Sequence, residues 1–263
     1  MSAPIQLPYA QFMQHYSHIA EHYDLTSATQ ILYVPPHTVV HEPIHLHAHE
    51  QLCIIADEYA QVCIISDQTN IQNPIWGAVR LYAHHNASIT YTVAYVGSGE
   101  HSIELFLLGR GASITCNGLY GITDTQRCII TTKQEHTVPG ATSSVLIKGV
   151  VGGHAVAEYT GMITIAEPAT QSDATQQAAT LILSPHARAR SVPSLQVLTN
   201  DVRCKHGSAV GQLDPDLLFY AQARGISHEQ SKRMLLHGFL AQAAVHIPAE
   251  LAPTILERIL NIV

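Results

Sequence analysis

A thiol and an imidazole stand two residues apart at Cys204 and His206, within the run Asn200-Asp201-Val202-Arg203-Cys204-Lys205-His206-Gly207. On a strand, residues i and i+2 face the same way, so the two side chains would project together with Lys205 opposite. A soft sulfur beside an imidazole nitrogen suits iron, zinc or an iron–sulfur species. Two donors alone carry little weight. Free cysteine is among the most buried residue types, and the pair reads first as a packing cysteine next to a surface histidine. The surrounding residues have to decide between the two.

A second constellation is His45, His47 and His49 followed by Glu50, among eighteen histidines in the chain. On a strand the three imidazoles share one face. A His-x-His with a nearby Glu opens the metal site of a cupin-like enzyme, where neutral imidazoles bind Zn, Fe or Mn. The rival reading is a histidine-rich solvent face, and no second histidine-bearing strand follows cleanly downstream. His84-His85 reads as a surface loop, and His101 and His154 as isolated positions. Cys53, Cys63, Cys116 and Cys128 lie in apolar runs and read as packing residues.

Several devices are missing. The chain has no Gly-x-x-x-x-Gly-Lys-Ser/Thr phosphate loop and no Gly-x-Gly-x-x-Gly opening a helix, so no nucleotide is expected on this chain. It also lacks the Gly-x-Ser-x-Gly of a simple serine hydrolase. Charged residues make up 13% of its 263 residues, with a formal net charge of −7. No basic stretch exists to displace counterions from a nucleic-acid backbone, which argues against that partner. A polysaccharide lyase would need a groove of clustered carboxylates and basic residues, for which this composition is poor. Five cysteines without a C-x-x-C give no disulfide framework and point to a reducing cytoplasm. Neither a signal peptide nor an apolar run long enough to span a membrane is present in this sequence.

Three zones would have to position these residues. Over 1–30, Tyr9, Phe12, Met13, Tyr16, Ile19, Ala20 and Tyr23 recur at threes and fours, predicting one short amphipathic helix over 9–23. Over 31–212 the sequence is β-like, with short Val/Ile/Thr-rich runs broken by Gly, Asn, Asp and Pro. Strands are predicted at 88–96, 102–108, 112–117, 127–132, 144–151 and 155–165. The stretch 167–178 reads as a loop or lateral excursion, and 136–144 as a turn. The near-repeat Gln51–Asp57 and Gln61–Asp67 fits a sandwich, a barrel or successive sides of a β-solenoid coil. Over 213–263 the chain turns helical. Asp214-Pro215 opens one helix, Ser227 and Gln230 form a capping box for a second, and Pro253 opens a third. Three such helices cannot enclose a core of their own and must lie on the β body, on another protein, or on both.

Ordered segments from about Val34 to the C-terminus resemble the SufB/SufD family of iron–sulfur cluster assembly scaffolds. The agreement is densest over Leu181-Ile182-Leu183-Ser184-Pro185, Pro193-Ser194-Leu195-Gln196-Val197, Asp201 to Gly207, Gly211-Gln212-Leu213-Asp214 and Leu218 to Ile226. Upstream, His136-Thr137-Val138-Pro139 and Tyr159-Thr160-Gly161 also match. The resemblance implies a mainly β fold, a right-handed parallel β-helix with a short N-terminal helix and a C-terminal helical subdomain. It implies a non-enzymatic SufD-like subunit that pairs with a SufB-like subunit at the β-helix end carrying Cys204 and His206. A transient iron–sulfur cluster would be built at that interface. Within the family, Cys204-Lys205-His206-Gly207 matches the SufD-type branch, since SufB-type members carry a glutamate where Gly207 stands. His206 inherits the cluster-building role, as ligand or proton carrier, with Cys204 as the lesser candidate; transient metal contact would fall to His206 and Cys204. Leu217, Leu218, Phe219, Tyr220 and Arg224 would dock a SufC-type ABC ATPase. Family members carry a sizeable helical region before the β-helix, where only about thirty residues precede it here, and a homodimer without a SufB-like partner is the alternative assembly.

Overall fold

The computed structural model describes residues 4–8, 12, 23, 29–46, 51–70 and 75–263. The helix predicted over 9–23 lies outside the described residues, except for Phe12 and Tyr23. Both of these are buried, in one apolar cluster with Tyr33, Ile55 and Tyr82.

Among the described residues, fifteen strands form two sheets that face each other. One holds, in order, β1 (Ile5–Pro8), β2 (Gln30–Val34), β4 (Gln51–Ala56), β6 (Ile75–Ala83), β8 (Gly99–Leu107), β10 (Arg127–His136), β12 (Val156–Ile165) and β14 (Arg188–Val197). The other holds β15 (Val202–Gly211), β13 (Ser172–Ile182), β11 (Thr142–Val151), β9 (Ser113–Ile122), β7 (Ser88–Val96), β5 (Gln61–Gln68) and β3 (Ile44–Leu46). Among the described residues, the β1–β2 pair alone is antiparallel; the other pairings are parallel and link the matching strands of successive coils. This is a parallel β-solenoid in which each coil gives one strand to each sheet. The near-repeat noted in the sequence is β4 followed by β5, the two sides of a single coil.

Alternation explains why these runs are strands. In β10 the buried residues are Cys128, Ile130, Thr132, Gln134 and His136, every second position. β4 is buried on both faces instead: Leu52, Ile54 and Ala56 point inward, while Cys53 and Ile55 lie under Phe12 and Tyr23. A strand covered on both sides reads as a continuous apolar run, as β4 does. Cys63 is half-buried on the outer side of β5, its Sγ 4.0 Å from the His246 carbonyl.

Inward residues stack in columns because the coils are in register. One column runs Val62, Ile89, Ile114, Ser143, Ala174, Cys204. Its neighbour runs Ile64, Tyr91, Cys116, Val145, Gln176, His206. On the facing sheet, Leu105 gives way to Gln134 and Leu107 to His136. On that sheet the inner wall therefore turns polar at the end of β10, where Gln134 and His136 are buried.

That change accounts for two departures from the sequence-based expectations. The stretch 167–178, read as a loop, contains the first seven residues of β13; only the turn before Ser172 is irregular. Its inward residues Ala174, Gln176 and Ala178 are small or polar, so no apolar alternation marks the strand. The segment 136–144, read as a turn, holds the buried end of β10 and the start of β11, with His136 and Ser143 both in the interior.

The described C-terminal residues form three helices: α1 (Pro215–Ala223), α2 (His228–Ala241) and α3 (Ala252–Leu260). Asp214 caps α1, its carboxylate accepting from the Asp216 N–H at 2.8 Å, and Pro215 fills the first turn. Ser227 and Gln230 form the expected capping box on α2. Gly225, at φ +87°, reverses the chain between α1 and α2 in a conformation that disfavours other residues. Ile255, Leu256, Ile259 and Leu260 of α3 join Leu236 and Leu240 of α2 in one buried cluster with Ile65, Ala94, Leu119 and Val150, on the outer face of the seven-stranded sheet. Arg258 fixes the arrangement by donating to the Asp67 carboxylate at 2.8 Å. α1 contributes only Ala221 to the buried set.

Candidate functional site

Cys204 and His206 lie on β15, the terminal strand of its sheet, and face the lumen. Register places Cys204 beside Ala174 and His206 beside Gln176, and in-register parallel neighbours share a face. The packing of Cys204 agrees, since it touches the buried cluster of Ile163, Ile165, Ala169 and Ala174. β14 is the corresponding terminal strand of the other sheet. One coil earlier the lumen is closed: Ile163, Ile165 and Gln176 are completely buried. In the terminal coil, the next residues of the same columns are open, with Leu195 40% and Val197 37% exposed and His206 exposed as well. The solenoid thus ends in an uncapped interior with two free strand edges. Such an edge offers unpaired backbone donors and acceptors as a template for another chain.

The chemistry available there is one thiol and one imidazole. Cys204 and His206 supply one sulfur and one imidazole, whereas zinc and iron–sulfur irons take four ligands. Among the described residues, no group of three or more His, Cys, Asp or Glu side chains is placed to hold a metal ion. The Cys204 thiol is pushed up by burial first and by the nearby Asp173 carboxylate second. It therefore stays protonated at neutral pH, and ligation would require an incoming cation to displace the proton. Gly207, which follows His206, has open space where a Cβ would stand and no left-handed φ. Nothing inside this chain demands a glycine there.

The other side chains singled out in the sequence are distributed as follows. On α1, Leu217, Phe219 and Tyr220 are exposed, Phe219 at 72%. Leu218 turns the other way and lines a cleft of about 330 Å³ with Ile182, Leu183, Leu213 and Lys232. The Arg224 guanidinium lies 5.1 Å from the Tyr220 ring centroid and donates to its hydroxyl at 2.9 Å. α1 therefore presents an apolar, partly aromatic face that the body leaves uncovered. His45 is exposed on β3, while His47, His49 and Glu50 lie outside the described residues.

Sequence reading missed the polar layer behind the open coil. His136, Ser143, Gln134 and Gln176 are all buried. His136 Nε2 lies 2.7 Å from Ser143 Oγ, Ser143 donates to Gln134 Oε1 at 2.7 Å, and Gln134 donates to Gln176 Oε1 at 3.4 Å. Burial lowers the His136 pKa to about 4, against an opposing pull from Asp173, so the ring is neutral at pH 7. Gly161 makes room for this layer. A Cβ there would stand 2.0 Å from Gln176 Nε2 and 2.6 Å from the Tyr159 hydroxyl. The signal was present in the alternation: Cys128, Ile130, Thr132, Gln134 and His136 share one parity, so an inward Cys128 and Ile130 carry the polar three inward with them.

The chain is thus a parallel solenoid with an open terminal coil, a thiol and an imidazole on that coil's inner side, and an uncovered helix beside it. The family model for the SUF system FeS cluster assembly SufBD core domain matches residues 96–239, more than half of the chain. The iron–sulfur cluster assembly protein SufD of Bacillus subtilis is 28% identical over 88% of this chain and 63% of its own length. SufD of Escherichia coli is 27% identical over 54% of this chain and 34% of its own length. A SufBD family protein of Mycobacterium leprae is 31% identical over 69% and 50%. The chain belongs to the SufB/SufD family of iron–sulfur cluster assembly proteins and is of the SufD type. It spans between about a third and just under two thirds of the length of these relatives.

Proposed function

We propose that this chain is a non-enzymatic scaffold subunit on which a nascent iron–sulfur cluster is assembled as cargo, in a half-site finished by a SufB-like partner. The observation that carries the reading is the open terminal coil, with Cys204 and His206 on its inner face and both strand edges free. His206 is the principal assembly residue, and Cys204 a transient contact for iron. The β body over 31–212 forms the platform. The helical part over 213–263 docks a SufC-type ATPase through Leu217, Leu218, Phe219, Tyr220 and Arg224. Nucleotide would then be bound by the ATPase and not by this chain, and its hydrolysis would reshape the interface through the helices. Five free thiols fit a reducing cytoplasm.

Affinity isolation of the native complex tests the pairing. The reading expects this chain to be recovered with a SufB-like subunit and a SufC-type ATPase. Recovery as a dimer of itself with no SufB-like chain would contradict it. Exchange of Phe219 and Tyr220 for serine should release the ATPase and leave the SufB-like subunit bound.

A further inference from the structure

The terminal coil differs in charge from the rest of the molecule. β14 and β15 carry Arg188, Arg190, Arg203 and Lys205, and neither holds an aspartate or glutamate. Over 188–211 the single carboxylate is Asp201, in the turn between the two strands. With histidines neutral, that coil has a net charge of +3 in a chain of −7. The preceding coil is the reverse: over 156–182 it holds Glu158, Glu167 and Asp173, and no lysine or arginine. All four terminal cations are exposed, and none has an ion-pair partner among the described residues. By contrast, Arg80, Arg127, Lys133, Arg233 and Arg258 each hold a carboxylate.

The strands decide where these charges stand. Register sets Arg190 beside Glu158 and Arg203 beside Asp173, and the Glu158 carboxylate is already held by Arg127 at 2.7 Å. On the other side of β14 and β15 no strand of this chain follows. The turn over 198–201 sends β15 back along the facing sheet, so the first halves of the two strands lie at opposite corners of the coil. Cations therefore flank the open lumen on both sides. Opposite charges side by side on adjacent strands are stabilising, and like charges destabilising. A strand laid on either edge would need carboxylates to match. Two copies of this chain meeting through β14 and β15 cannot supply them: whichever strand meets which, and in any register, cations alone face cations.

We propose that the open end is a charge selector, which accepts a solenoid end whose facing strands carry carboxylates and rejects a second copy of this chain. The inference rests on the pairing proposed above and adds what the partner's surface must be. Exposed Leu195, Val197 and Leu198 offer apolar contact area that would suit either partner, and the charges choose between them. Charges at the rim of an interface act mainly on the rate of encounter and on the exclusion of wrong partners.

The test compares the full wild-type chain with a variant carrying Arg188→Glu, Arg190→Glu, Arg203→Glu and Lys205→Glu, and with the milder pair Arg190→Gln and Lys205→Gln. All these side chains are exposed, and circular dichroism with thermal melting checks that each variant folds. In stopped-flow mixing with the SufB-like subunit at about 0.05 M salt, the fourfold variant should associate at least roughly tenfold more slowly than wild type, and the milder pair by a smaller factor. The difference should shrink at about 0.5 M salt, where screening shortens the reach of charge. By light scattering, wild type and the fourfold variant should each stay monomeric, while their equimolar mixture pairs. Equal association rates for wild type and the folded variants would overturn the proposal. So would wild type that pairs with itself as readily as the mixture does, or wild type that prefers phosphatidylglycerol vesicles or duplex DNA to the SufB-like subunit. Wild type that fails to bind the SufB-like subunit at either salt concentration would instead overturn the assembly reading, and the light scattering would still decide on the selector.

Discussion

At the scale of single residues, the polar interior makes claims on stability that can be measured. Gly161 is glycine because the Gln176 amide occupies the place of its Cβ. Gly161→Ala should cost about 1–3 kcal/mol, the usual penalty for overpacking, in equilibrium urea unfolding. His136 gives a pH signature. Its folded pKa is lowered to about 4 by burial, against about 6.5 in the unfolded chain. Between those values the unfolded chain binds a proton that the folded one refuses, so stability falls as pH drops from 6.5 to 4 and this contribution levels off below. The change is up to about 3 kcal/mol by linkage; His136→Gln should lack it, so it should appear as the pH-dependent part of the wild-type minus variant difference across that range. Cys204-x-His206 was legible in the sequence as a shared face. Its exposure was not, because a strand's period says which side a residue faces and nothing about whether another coil covers it.

Individual elements separate into those whose sequence carries its own signal and those whose neighbours decide. β7, Ser88–Val96, coincides with the predicted strand, and the caps at Asp214 and Ser227 begin α1 and α2 where local chemistry places them. β13 was invisible because its inward face is Ala174, Gln176 and Ala178, a pattern that makes sense only against the polar side chains opposite. β14 was invisible for a related reason: as a terminal strand it is covered by no further coil, and its sequence is mixed on both faces. α3 is held by burial and not by caps, since no side chain caps its N-terminus. Ile259→Ala should therefore cost about 2–4 kcal/mol by large-to-small substitution in a core, read by denaturant unfolding. Arg258→Ala removes a partly exposed ion pair and should cost at most about 1 kcal/mol. If Arg258→Ala proved the more damaging of the two, the helix would be clamped by charge and not by packing.

At the scale of the whole molecule, the account turns on an asymmetry along the solenoid. The first coils are closed, apolar and covered on the outside by Phe12, Tyr23 and the C-terminal helices. The last coil is open, with apolar Leu195 and Val197 on its lumen face left exposed. Among the described residues, no helix is long and apolar enough to cross a membrane, and the exposed apolar surface at this end is where the proposed partner subunit would seat. Leu195→Asp together with Val197→Asp should leave folding intact, because both side chains are already exposed, and should abolish pairing in size-exclusion chromatography. The central claim is that the open coil is half of a cluster-assembly site whose principal residue is His206. The most direct measurement is cluster content of the purified, intact complex carrying His206→Ala. A complex of unchanged composition that has lost its cluster is the predicted result. A complex that assembles and loads cluster at the wild-type level would contradict the account.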